Sequence, residues 1–130
     1  MAAVVMLLHM LSHLLTTLTW KQAPNKEIGD VIHGMTDKHF ELFGRQVSMG
    51  GFYEGHMVAM ILVLLLLTII LWILSNHVDN IVTRKLLPSI IVFLLLLAAT
   101  EWVYILQIPA IMCLLAALLA FMAYRRRLTV

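Results

Sequence analysis

The chain has 130 residues, of which 62% are hydrophobic and 12% charged, with a formal net charge of +2. A soluble domain is roughly half apolar and about a quarter charged, so this composition excludes an ordinary soluble enzyme and describes an integral membrane protein of one domain. The cations stand singly or beside apolar ends, which excludes a nucleic-acid interface, and the single cysteine, Cys113, excludes an internal disulfide.

Residues 2–20 form the first expected element. No Lys or Arg precedes this apolar run, and it closes on Leu18-Thr19-Trp20 rather than on small residues, so it reads as a membrane helix and not as a signal peptide. His9 and His13 are one helical turn apart, and Thr16 and Thr17 carry the polar stripe on toward Trp20. A stripe of this kind points away from lipid.

The connection over residues 21–50 is too long for a simple hairpin and has structure of its own. Ile28, Ile32, Met35, His39, Leu42 and Phe43 fall on one helical face, which predicts an interfacial amphipathic helix over residues 26–45. Gly34 is a place for it to break, with Thr36 then capping a second turn. His33 and His39 belong to this surface segment. Gly50-Gly51 marks the corner into the second span.

That span covers residues 51–75 and opens on Gly51-Phe52-Tyr53-Glu54-Gly55-His56. Gly51, Gly55 and Ala59 recur every four residues, a ridge of small side chains that admits a close neighbour. The third span covers residues 87–106 and carries Glu101 inside an otherwise apolar run. The fourth covers residues 109–124, opened by Pro109 where a missing N–H costs nothing, with Ala110, Cys113, Ala117, Ala120 and Tyr124 as a second small-residue stripe. Each span approaches the roughly 20 apolar residues that a hydrocarbon core requires. None alternates with period two, so these are helices and not barrel strands. The expected fold is an all-α membrane protein, an antiparallel bundle of four transmembrane helices with an amphipathic helix in the first loop. With Arg84, Lys85 and Arg125, Arg126 and Arg127 on one side, the positive-inside rule places both termini in the cytoplasm.

Glu101 carries the functional argument, because an ionisable group at the centre of a lipid-facing helix costs about 2.5–3.5 kcal/mol. A carboxyl group in that run should face protein or water. In the expected topology His13 and Glu101 both lie about 10 Å below the Trp20 end of the bundle by helical rise, with His9 about 6 Å deeper. Glu54, His56 and Tyr104 enter from the same side. This predicts a polar pocket near the extracytoplasmic face, in which His13, His56, Thr17, Glu54 and Tyr104 bind a small lipophilic molecule such as a quinone, lipid or sterol-like compound. Glu101 serves there as acid or base.

Other uses of the same residues stay open. His13, His56 and Glu101 have the donor types of a divalent metal site, although Glu54 and His56 leave a regular helix on different faces and the Glu-x-x-His pairs of di-iron bundles are absent. A His from each of two helices also matches bis-His haem b. Alternatively, the imidazoles and the carboxyl group bond only between helices. The chain is then an accessory or assembly subunit, as a homo-oligomer or in a larger membrane complex. Tyr53, Trp102 and Tyr104 suit an aromatic belt. There is no Gly-x-Ser-x-Gly, Walker loop, Cys-x-x-Cys or His-Glu-x-x-His, so hydrolase, nucleotide-driven and thiol-redox readings find no motif.

The run His13-Leu14-Leu15-Thr16-Thr17, the segment 35–43, and Gly51 to His56 together resemble a family of small uncharacterised bacterial four-helix membrane proteins. These carry a His followed by Thr in the first helix and a Gly-Phe and a His opening the second. The likeness spans the first half of the chain. It implies the four-helix fold and pairs His13 with His56, and it brings no activity with it.

Overall fold

A computed structural model describes residues 1–77 and 80–125. Arg126 and Arg127, used above to orient the chain, lie outside the described residues. The order of elements is α1 (Ala2–Thr19), α2 (Lys26–Asp37), β1 (His39–Leu42), β2 (Arg45–Ser48), α3 (Met49–Asn76), α4 (Ile81–Tyr104) and α5 (Gln107–Arg125). Helices α1, α3, α4 and α5 are long and apolar enough to cross a membrane. The architecture is all-α apart from one hairpin, and it is consistent with a multi-pass membrane protein.

The helix ends have local causes. Asn80 caps α4, its Oδ1 accepting from the Val82 N–H at 2.8 Å, so this helix starts at Ile81 and not at residue 87, where the unbroken apolar run begins. Pro88 therefore lies inside α4. It removes one ladder donor, a loss that membrane helices tolerate. Ser48 does for α3 what Asn80 does for α4, accepting from the Gly51 N–H at 3.1 Å. The corner thus falls one residue before Gly50-Gly51, and α3 runs from Met49. In α5 the helix opens at Gln107, and Pro109 is its third residue, still within the first turn where no intrahelical bond is lost.

The largest departure from the sequence reading is in the first loop. Helix α2 begins at the Asn25 cap, which accepts from the Ile28 N–H at 2.9 Å, but it stops at Asp37 instead of continuing to residue 45. Residues 39–48 form an antiparallel hairpin in the register His39↔Ser48, Phe40↔Val47, Glu41↔Gln46, Leu42↔Arg45. Its two-residue turn is Phe43-Gly44, with φ of 50° and 74°. Two successive positive φ angles suit the right-handed twist of a hairpin. Thr36 opens no second turn, because its hydroxyl donates to the carbonyls of Ile32 and His33. The close approach of α2 to α3 depends on Gly50, since a Cβ there would lie 2.8 Å from Thr36 Cγ2 and 3.3 Å from the Met35 carbonyl.

The chain divides into two compact units, Met1–Met10 with Leu64–Val130, and Leu11–Val63. In the first, α4 packs along α5. Its buried residues follow three-four spacing on each helix: Ala3, Met6 and Met10 on α1, Leu64, Leu67, Leu71 and Leu74 on α3, Leu87, Ile90, Leu94 and Ala98 on α4, Ala110, Cys113, Ala117 and Ala120 on α5. This is the spacing of one buried face on each helix. The small residues of α5 are thus consumed by packing inside the unit.

In the second unit, Glu54 of α3 meets the end of α1. Its Oε1 takes Lys21 Nζ at 2.6 Å and the Trp20 Nε1–H at 3.3 Å. Trp20 also stands edge-on to Tyr53, with ring centroids 5.0 Å apart. Phe40 of β1 stacks on Phe52 of α3 at 6.4 Å and ties the hairpin to the helix.

Candidate functional site

Within the first unit the seam is interrupted by three side chains capable of proton chemistry. Glu101 lies one turn before the end of α4, on the face that also presents Leu94 and Ala98. Cys113 lies on the facing stripe of α5, between Ala110 and Ala117. His9 is brought in by α1, on the buried side with Met6 and Met10. Each of the three is 0% exposed.

The imidazole stands between the other two. His9 Nε2 is 3.2 Å from Glu101 Oε1, and His9 Nδ1 is 3.5 Å from Cys113 Sγ. A thiol S–H donating to Nδ1 leaves the ring proton on Nε2, where it faces the carboxylate. If His9 is protonated instead, both nitrogens donate and the His9–Glu101 pair is neutral overall, the cheaper state for groups removed from water. Either way one imidazole links a buried acid to a buried thiol, an arrangement able to accept and return a proton. Neither carboxyl oxygen of Glu101 receives a well-aligned hydrogen bond among the described residues. A buried carboxyl group with acceptor capacity to spare is uncommon and calls for a physical reason.

The sequence singled out Glu101 for this position but paired it with His13 and His56. His9 is the imidazole that meets Glu101 within the first unit. The signal was the stripe itself, since His9 and His13 share a face of α1. Cys113 was legible only as a small core residue, since its partners come from helices remote in sequence.

His13, Thr17, Glu54 and His56 belong to the second unit. His13 is half-buried, and Thr17 Oγ1 donates back to its carbonyl at 2.8 Å, so that hydroxyl is spent on its own helix. Thr16 does the same to the Ser12 carbonyl at 3.0 Å. Glu54 is held by Lys21 and Trp20 as described, and His56 is exposed beside the hairpin. Tyr104, 82% exposed at the end of α4, has the setting of a belt residue. His33 pairs with Asp37 at 3.7 Å on the surface of α2, and His77 follows the end of α3 with Nδ1 3.1 Å from the Ile73 carbonyl.

No family model matches this sequence, and comparison with curated proteins and with solved structures returns no significant match.

Proposed function

We propose that this chain is an antiparallel four-span protein of a bacterial inner membrane, with both termini in the cytoplasm, that binds a small lipophilic molecule against the buried His9–Glu101 pair. The observation that carries the reading is the Glu101 carboxyl group, fully buried yet lacking an aligned donor among the described residues. An O–H or N–H on a quinol, lipid or sterol-like molecule supplies such a donor, and Glu101 then takes the proton as general base while His9 stabilises the resulting charge distribution. An apolar ligand body suits the surrounding Leu, Ala and Met side chains. Ionisable residues inside membrane segments serve ligand or proton chemistry by default, because their burial is otherwise costly.

The test is an absorption spectrum, elemental analysis and native mass spectrum of the detergent-purified protein. A retained lipophilic mass that is lost in Glu101→Gln and in His9→Ala, with helicity unchanged, supports the reading. A Soret band would replace it with haem, and a stoichiometric metal with a divalent site. A folded protein with nothing bound sinks it.

One observation favours a second reading, an accessory subunit of a larger membrane complex. A Cβ added at Gly55 meets nothing within 4 Å, and one at Gly51 meets only Ser48 Oγ at 3.4 Å, so the Gly51, Gly55 and Ala59 ridge is open to a neighbour. Co-purification of a stoichiometric partner that Gly55→Leu releases would favour it. The likeness to small four-helix bacterial proteins fits both readings.

A further inference from the structure

The open ridge forms the floor of a groove in the second unit. The groove is open to the surface, with a volume of about 650 Å³ between strand β2 and the first two turns of α3, and it is lined by Arg45, Ser48, Gly51, Phe52, Gly55 and His56 among others. We infer that it is a phospholipid site, seating the phosphate of an anionic headgroup against Arg45 and His56 with an acyl chain along α3.

Four observations support this occupant. First, the polar lining is built to donate: a guanidinium, imidazole side chains, a hydroxyl and an amide, with no Asp or Glu among the described lining residues. Phosphate offers only acceptors, and Arg matches its geometry with paired N–H bonds. Second, the groove reaches the N-terminal turn of α3, where backbone N–H groups favour an anion. Third, the floor is bare backbone at Gly51 and Gly55, with open space at Gly55 where a side chain would otherwise stand. Fourth, an apolar strip continues from it: Gly55, Ala59 and Leu62 share one face of α3, and Leu62 is 60% exposed. A soluble phosphate would have no use for that strip, whereas a phospholipid fills both parts.

The hairpin beside the groove is suited to the headgroup region. Its tip residue Phe43 is 96% exposed, and Leu42 and Phe40 are also exposed on the same segment. Aromatic and aliphatic side chains at a loop tip, next to the start of a membrane span, are at home in the interface. Arg45 follows directly on the tip, which places its charge at the level where lipid phosphates lie.

The experiment uses the full-length protein in detergent, titrated with phosphatidylglycerol or phosphatidylcholine of the same acyl chains and read by native mass spectrometry. The wild type should retain phosphatidylglycerol about fivefold more strongly, as expected for one Arg at a lipid phosphate. Arg45→Gln should remove the preference. Gly55→Leu, which fills the floor without changing charge, should weaken both lipids. Circular dichroism and gel filtration show that each variant is folded. Equal retention of the two lipids, or a preference that survives both substitutions, overturns the inference. So does complete displacement by millimolar inorganic phosphate, which would mean that the acyl chain is not seated. A dimer or hetero-complex that Gly55→Leu dissociates, with no lipid effect, would make the ridge a seam between helices instead.

Discussion

In the unit formed by Met1–Met10 and Leu64–Val130, His9, Glu101 and Cys113 lie wholly inside an apolar seam and answer one another across three helices. In the unit Leu11–Val63 the side chains Glu54, His56 and Arg45 are at or near the surface, and Glu54 takes Lys21 and Trp20 from the end of α1. The difference is one of solvent. Within the seam no water can repair a lost contact, so a polar group there depends on protein partners or on a bound ligand. At the surface, water and lipid headgroups offer replacements, so the same residue types can be exchanged at little cost and are available to bind.

Breaking the buried pair should have the largest effect. Glu101→Leu leaves His9 without its acid and should cost about 3 kcal/mol, the scale for removing one partner of a buried pair. The double variant His9→Leu with Glu101→Leu should recover most of that loss, because two apolar side chains suit the seam. Unfolding in a denaturing-detergent titration measures both. If the double variant is no more stable than the single, the seam does not treat the pair as a unit and the comparison fails.

The thiol sharpens the same point on a smaller scale. Cys113→Ala removes the contact to His9 Nδ1 and should destabilise by about 1 kcal/mol, whereas Cys113→Ser keeps a donor and should restore the ring state. Nitrogen-15 chemical shifts of the imidazole distinguish the two: in the wild type and the Ser variant the Nδ1 resonance should report an acceptor. Identical spectra for Ala and Ser would remove Cys113 from the cluster.

In the surface unit a gain should be possible. Phe43 adopts a positive φ that a bulky side chain rarely accepts, and Asn-Gly is the preferred pair for such a turn. Phe43→Asn should slow amide exchange across residues 39–48 by about fivefold, corresponding to roughly 1 kcal/mol of relieved backbone strain. Membrane contact through the tip should weaken at the same time. Unchanged exchange would show that the turn carries no strain.

The smallest effect belongs to the exposed pair. Lys21→Gln should leave the thermal midpoint within experimental error, since solvent already screens its contact with Glu54. A clear loss of stability would mean that this end of α1 is far less wet than its exposure implies.

The spans were legible because length and apolar content suffice to define them. Glu101 was legible for the same reason, as the one acid in a run that should have none. The hairpin was not. His-Phe-Glu-Leu alternates with period two, but four residues are too few to outvote a helical pattern that continues from α2 through the same positions, and Phe-Gly is not a standard turn signal. The contact of His9 with Glu101 and Cys113 was beyond the sequence as well, because it depends on how the helices are rotated, which tertiary packing determines. Cys113 looked ordinary because a thiol in an apolar stripe is indistinguishable, by pattern alone, from an alanine.

The burial of that thiol has a practical consequence. Cys113 is the only cysteine in the chain and is 0% exposed, so maleimides should label the native protein only slowly. Cysteines introduced one at a time in the loops can then be mapped for sidedness without first deleting the natural one, and the slow labelling of Cys113 itself becomes a clock for how often the helices part.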